Sequence, residues 1–531
     1  MPLATTSRRS RSRHARGAAA AAIAVAVSVV LAACSGGGSV DSAETSNEPG
    51  AGGTLRVAIL GDGNLESNDT LTANTTSDYL RIHQIFEPLT VVDPEKGVQP
   101  YLAEHLEANA DATEWTITLK DGVRFSDGTP LSADDAVFTL RMHQAPDSGS
   151  VVSGLLASVV AIDKIDDLTF TVSLASPNSY FDQVLSNYHF GIVKDGTTDF
   201  DDPVGTGPFV LDRFVPGQES VLVKNPDYRV EGKPYLDELV ILSISDPQAR
   251  VNALLSGQVD AIAGVPPAQF QSIADTPGFE AIDSPSGTHL VQYMFTSGPN
   301  AGDFADPAVR EALRLLVDRQ QIVDNVFYGY ARVGNDLSGI DDATTYPADV
   351  PQREYDPEAA AKILADAGYD DLEVTLYTSD IYPGIRDMST LMAEQAAAGG
   401  VTINLEVLPS DQYWSESYLQ NPFGSSYWSG QPLFYYYGAN YAMAVGTGEN
   451  ETEWDDPEWR ALYDEALSTT DRDAADQLLM EAQRILYERG GYIIPVYPDF
   501  LDGARSTVHG FGASSSFPLG DFDFVDVYVT H

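Results

Sequence analysis

The chain has 531 residues, 30 Lys and Arg against 78 Asp and Glu for a formal charge of −48, and a hydrophobic fraction of 43%. That apolar fraction excludes a disordered acidic tail, and the acidity excludes nucleic acid as a partner, because affinity for phosphate backbones comes from Lys and Arg. The length corresponds to roughly three domain-sized units, enough for large cores with a cleft between lobes.

Positive charge is concentrated at the start. Arg8, Arg9, Arg11, Arg13 and Arg16 precede an Ala-rich apolar run, 17–33, and no acid occurs before Asp41. A basic region followed by an apolar one predicts a secretory signal over 1–33. The run ends Leu31-Ala32-Ala33-Cys34, which resembles a bacterial lipobox, so Cys34 is predicted to carry lipid after cleavage. As the only cysteine it cannot form an internal disulfide, which suits an anchoring role. An uncleaved membrane helix is the alternative, for which the run is short and poor in large apolar residues. Apolar residues do not follow Arg8-Arg9 closely, which argues against a twin-arginine signal. Residues 34–53, rich in Gly and Ser, read as a flexible tether. The body is therefore expected at the outer face of the cytoplasmic membrane, in the periplasm or cell-wall space.

Along the body, period-2 and period-3.6 segments alternate. Strands are predicted at Leu55-Val57-Ile59, Trp115-Ile117-Leu119, Phe170-Val172-Leu174, 209–214, 220–223, 239–244, 289–295, 372–377 and 401–408. Helices are punctuated by caps: Ser132 with Asp135, Asp306-Pro307, Asp356-Pro357 with a stop at Gly368, Asp456-Pro457, and Asp471 with a stop at Gly490-Gly491. Thr75-Thr76-Ser77 precede a helix bearing Tyr79 and His83, and read as a cap or as hydroxyls offered to a ligand. The fold class is α/β.

Motifs for chemistry are missing. Gly205-Thr206-Gly207-Pro208 lacks the Gly-Lys-Ser/Thr ending of a phosphate loop and reads as a turn into a strand. Asp62 to Asp69 begins like a calcium loop but has Ser at the sharp turn and Ala73 in place of the bidentate Glu. There is no GxSxG, HExxH or CxxC, and the eight histidines are scattered singly. Neither cofactor nor metal is expected. A hydrolase using paired carboxylates remains the minor alternative, and coupling between two cleft carboxylates would mark it. The densest aromatic stretch is Tyr413-Trp414, Tyr418, Phe423, Tyr427-Trp428, 434–437 including Tyr435, and Tyr441, without clean periodicity. It is read as a ligand-facing loop, or else as a buried tyrosine cluster.

Several blocks carry a family resemblance: Ile85-Phe86-Glu87-Pro88-Leu89, Pro100-Tyr101-Leu102-Ala103, the run 115–128 (WTITLKDGVRFSDG), Leu131-Ser132-Ala133-Asp134-Asp135-Ala136, Asn225-Pro226-Asp227-Tyr228 and Tyr355-Asp356-Pro357-Glu358-Ala359-Ala360. From about Gly53 onwards the chain resembles the large family 5 solute-binding proteins of ABC importers that handle peptides and nickel. The resemblance implies a type II periplasmic-binding-protein fold with two hinge crossings, placed at 264–267 and 494–497. The first lobe would be 54–263 plus 497–531, with 75–190 inserted, and the second 264–496. It further implies a monomer, not an enzyme, that closes on a solute and docks on membrane permease subunits. A peptide is the expected solute, an oligosaccharide or other small solute the alternative. Peptide-binding members have a Trp followed three residues later by an Asp that meets the α-ammonium. Here Trp428 is followed by Gln431, so that charge pair is not available. Arg386 resembles the arginine that dipeptide binders set against the ligand carboxylate, or else is a surface arginine on the helix around Asp387 to Glu394. The expected ligand-binding set is Trp428, Gln431, Tyr427, Trp414, Tyr413, Tyr435, Arg386 and Thr76.

Overall fold

The computed structural model describes residues 50–530, except 51, 62, 94–95, 431–437, 439–440, 442–449 and 515. The expected signal, Cys34, Gln431 and Tyr435 thus lie outside the described residues. Among those described, no helix is long and apolar enough to cross a membrane.

Two large sheets dominate. The first has seven strands in the order Phe279–Ser284, Phe500–Arg505, Ala261–Ile262, Thr54–Ile59, Glu238–Ser243, Glu219–Lys224, Phe209–Val215. Its central strand Thr54–Ile59 is parallel to both neighbours, and the outer pairs are antiparallel. The second has six strands in the order Ala331–Val333, Tyr492–Pro498, His289–Met294, Phe423–Trp428, Glu373–Thr378, Thr402–Val407. A four-stranded antiparallel sheet, Ala103–Ala108, Glu114–Leu119, Thr169–Leu174, Val159–Lys164, stands apart. The architecture is mixed α/β, as the sequence predicts.

All nine predicted strands form, because each has one apolar face to bury. The capped helices form as read. Asp306, Asp356, Asp456 and Asp471 accept first-turn N–H groups through their side chains, and Gly368 ends its helix at φ 91°. Thr75 caps Thr76–Ile85 in a reciprocal box with Asp78. The turn preceding Phe209 also holds. A Cβ on Gly205 or Gly207 would collide with the backbone of Ile85 or Gln84, so the glycines permit close packing.

The lobe boundary is a correction. Strand Phe279–Ser284 pairs with Phe500–Arg505 in the first sheet, and the chain reaches the second sheet only at His289. The crossings therefore fall at 285–288 and at Asp499, not at 264–267 and 494–497. Residues 264–267 instead lead into helix Pro267–Ala274, still against the first sheet. Pro266-Pro267 reads locally as a break, but a break does not say which sheet follows.

The separate sheet leans on helices Pro457–Ser468 and Arg472–Arg489. Ser179 donates its N–H to the Leu467 carbonyl, 2.8 Å, and Tyr180 its hydroxyl to Asp476, 2.7 Å. Arg472 lies 4.1 Å over the Tyr180 ring and pairs with both Asp182 oxygens, 2.9 and 3.0 Å.

Under the second sheet sits a buried ion network. Asp336 accepts from Arg319 at 2.7 and 2.8 Å, from Arg353 at 3.0 Å and from the Ile494 N–H at 2.9 Å. Burial works to raise its pKa, but Arg319 and Arg353 outweigh it and hold the carboxyl below its ordinary value. Replacing Asp336 by Asn leaves the buried Arg319 guanidinium without its counter-charge and Arg353 with Glu311 alone, which costs about 3–5 kcal/mol. Denaturant unfolding at pH 7 checks this, and a loss under 1 kcal/mol contradicts it.

Candidate functional site

The site grows from the end of strand Phe423–Trp428. Gly424 is required there, since a Cβ would strike the Tyr293 ring of the neighbouring strand. Ser425 ties the strand down by donating its hydroxyl to Gln292 Oε1, 2.7 Å. Successive side chains then point to opposite faces, so Tyr427 and Trp428 lie on either side of the sheet. Tyr427 meets Tyr382 at 5.2 Å between centroids and Trp414 at 6.5 Å; Trp414 meets Tyr418 edge-on at 4.8 Å. A single π-helical turn, Tyr413–Ser417, aims Trp414 outward. Trp414 and Tyr427 remain 41% and 38% exposed. Large aromatic surface left open beside polar groups is the composition of a binding wall.

Behind that wall lies Glu451, fully buried. Its Oε2 accepts from Trp428 Nε1 at 3.0 Å and from the Tyr492 hydroxyl at 2.5 Å, and its Oε1 from the Tyr418 hydroxyl at 2.7 Å. Burial pushes this carboxyl up, and Ser426, Tyr492, Tyr418 and Trp428 pull it back by hydrogen bonding.

The opposing surface belongs to the first sheet and the C-terminal segment. Tyr79 and Tyr188 lie 4.3 Å apart, with Phe517 at 5.8 and 5.5 Å from them. The N–H groups of Ser516 and Phe517 both donate to Asp521 Oδ1, 2.8 and 2.6 Å. Ser516 then reaches across, donating its hydroxyl to the Gly430 carbonyl at 2.5 Å, two residues beyond Trp428. His83, on the same surface, is lowered by burial against the raising influence of Asp523 and Asp521.

At the crossings stand acids. Asp502 is fully buried, accepting from the Gly264 N–H at 3.1 Å and the Leu519 N–H at 2.7 Å. Burial pushes its carboxyl up to about 7 despite those donors. Asp499 is pushed up to about 6 by burial and by Asp283, with which it shares a hydrogen bond. This is the coupled carboxylate pair a hydrolase would need to show. Its members touch each other, which leaves no room for a glycosidic bond between them. Tyr382 feels Tyr427, Asp502 and Asp499, so the aromatic wall meets the crossings.

Of the expected residues, Trp414 and Tyr427 come together, while Trp428 lies on the opposite face of the sheet and is bound to Glu451. Tyr413 does not face a ligand: it is fully buried with its hydroxyl donated to the Ser425 carbonyl at 2.5 Å, the buried-cluster alternative. Arg386 is exposed and paired with Asp380 at 2.8 Å, as a surface arginine. Thr76 opens its helix half-buried, and Thr75 rather than Thr76 makes the cap. Tyr382, Glu451, Asp502, Ser516 and Phe517 were not singled out as site residues. All but Glu451 are remote in sequence from the aromatic stretch, and only an acid within an apolar run, as at Asp502, marks any of them locally. Among the described residues no group of three His, Cys, Asp or Glu is placed to hold a metal.

Residues 97–452 match the bacterial extracellular solute-binding proteins, family 5, middle region, and the chain belongs to that family. It is 24% identical over 481 residues to the glutathione-binding protein GsiB of Salmonella paratyphi A, covering 86% of this chain and 91% of that one. Against di/tripeptide-binding protein 1 of Pseudomonas aeruginosa the identity is 26% over 476 residues, covering 81% and 86%. The periplasmic binding protein DppA of Helicobacter pylori, solved with the peptide STSA, superposes with a TM-score of 0.78 at 20% identity, covering 91% and 99%. The fold is that of the type II periplasmic binding proteins.

Asp502 sets a pH dependence. Its folded pKa lies above the ordinary carboxylate value near 4, so the folded state holds a proton that the unfolded chain releases. The stabilisation it contributes is complete below about pH 4 and is lost as pH rises through about 7. Thermal unfolding of wild type and Asp502→Asn should show a wild-type advantage that shrinks from pH 4 to 7. A gap constant across that window contradicts a titrating Asp502.

Proposed function

We propose that this member of the family 5 solute-binding proteins closes on a peptide between its two sheet units and delivers it, chemically unaltered, to an ABC permease in the membrane. The observation that carries the reading is an open aromatic surface on the second sheet, Trp414 and Tyr427, joined to the aromatic group Tyr79, Tyr188 and Phe517 through the hydrogen bond from Ser516 to the Gly430 carbonyl. Two connections between otherwise separate sheets form a hinge, and a ligand held between the units favours closure by as much as it prefers the closed state. The names of GsiB, which binds glutathione, and of the di/tripeptide-binding protein support a short peptide as solute. In this reading 54–284 with 500–530 form one lobe and 289–498 the other.

We further propose that Cys34 anchors the chain through lipid. A single acyl chain gives only reversible membrane binding, so the anchor requires more than one acyl group or lasting insertion. Cys34→Ser should move the protein from the membrane fraction to the soluble one; unchanged membrane retention overturns the anchor.

Closure has its own test. Small-angle scattering with and without a panel of di- to tetrapeptides should show a more compact particle with a bound member, and mass spectrometry should recover that peptide intact. A ligand cleaved at catalytic rates supports the hydrolase instead, and compaction with oligosaccharides alone supports a sugar as solute.

A further inference from the structure

The inserted sheet belongs in chain order to the first lobe, yet residues 178–182, which follow its strand Thr169–Leu174, are bonded to the second-lobe helices Pro457–Ser468 and Arg472–Arg489. The lobes thus meet at a junction that neither crossing supplies.

Each side of this junction is fixed by its own lobe. Within the insert, Trp115 donates its indole N–H to the Asn178 carbonyl at 3.0 Å and Thr90 its hydroxyl to the Asp182 carbonyl at 2.7 Å. Asn178 in turn donates its N–H to the Ala112 carbonyl at 2.8 Å. Those bonds hold the segment while Ser179, Tyr180 and the Asp182 carboxylate engage the other lobe. There, helix Pro457–Ser468 ends at Thr469 without the glycine that commonly closes a helix. Last-turn carbonyls lack partners inside their own helix, and Ser179 reaches two of them. Its hydroxyl donates to Ala466 at 3.0 Å and its N–H to Leu467 at 2.8 Å. Its carbonyl accepts from Arg472 at 3.0 Å, so the second lobe holds one serine at three atoms. Arg472 spans the seam, pairing with both Asp182 oxygens and covering the Tyr180 ring. Beneath it, Trp115 and Phe181 share one apolar core with Trp459 and Tyr463.

The polar contacts can part. Water satisfies carbonyls at a helix end, and the Arg472 and Asp182 side chains keep 37% and 19% of their surface exposed. None of these residues belongs to the aromatic wall. A contact between lobes that does not touch the solute biases closure whatever the solute is.

We infer that segment 178–182 and the helix pair 457–489 form a clasp that holds the lobes closed, with Arg472 as its central residue, so that closure is set by the protein as well as by the solute. This rests on the two-lobe closure proposed above and names a device within it. Loss of the Arg472–Asp182 pair should cut the closed-to-open ratio about tenfold, as befits one charge-assisted bidentate contact. Every bound peptide should weaken by one common factor.

The test needs no peptide. Spin labels at Leu255→Cys and Val407→Cys, exposed positions on the first and second lobes, report the distance between lobes in a Cys34→Ser chain. Hydrogen exchange over 178–182 reports the clasp, because the Ser179 N–H is bonded to the other lobe. Arg472→Gln should speed that exchange and raise the population at the longer distance. Asp182→Asn should act likewise, and the double variant should add nothing, since either change removes the pair. Arg472→Lys, the milder change, should shift both readouts less in the same direction. Faster exchange with an unchanged distance distribution means a fixed internal contact and overturns the inference, as do additive effects of the two variants. If trialanine and other short peptides do not bind but Arg472→Gln lengthens the distance, the peptide reading fails and the clasp stands. If a peptide shortens the distance while Arg472→Gln leaves it unchanged, the clasp falls and the peptide reading stands.

Discussion

One buried carboxylate fixes how the chain turns between its sheets. Asp502 takes an N–H from Gly264 and another from Leu519, joining the strand that returns from the second sheet to the connection before helix Pro267–Ala274 and to the C-terminal segment. Backbone donors buried at such a junction need an acceptor, and a side chain can supply two where a strand edge cannot. Because Leu519 is held, Ser516 and Phe517 are presented towards the second sheet, and Ser516 reaches Gly430. The position of one aromatic wall against the other therefore depends on a group that touches neither.

The distribution of charge follows a related logic. With 30 basic side chains against 78 acidic ones, many arginines stand inside rather than on the surface. Arg81, Arg310, Arg314, Arg319 and Arg353 are buried, and they clamp carbonyl groups or carboxylates where segments distant in sequence meet. The planar fork of a guanidinium can satisfy several acceptors at once, which a lysine cannot. Acids without such a partner are left at the surface, at the crossings and behind the aromatic wall, and Asp502 shows that such a buried carboxyl can tie segments together while making stability depend on pH.

The sequence by itself determined the local devices and the family. Alternation in Trp115-Ile117-Leu119 and caps such as Asp356-Pro357 are read correctly because their causes lie within a few residues. The blocks around 85–136 placed the chain in its family because their order is as specific as their content. Tertiary structure alone decided the rest. Strand Tyr492–Pro498 is buried on both faces, so it shows no alternation, and Pro495 interrupts its otherwise strand-favouring residues, yet it carries the chain towards the crossing. The crossing at 285–288 escaped because strand Phe279–Ser284 is defined by its partner 221 positions away on average, not by its own residues. Tyr413 and Trp414 are neighbours of similar chemistry, and one is sealed while the other is open. Only the π-helical turn distinguishes them, since side-chain direction is set by backbone geometry that composition does not encode. Glu451 likewise looks like one acid among 78 until the fold brings Trp428, Tyr418 and Tyr492 around it, because hydrogen-bond partners at long sequence separation are a property of packing.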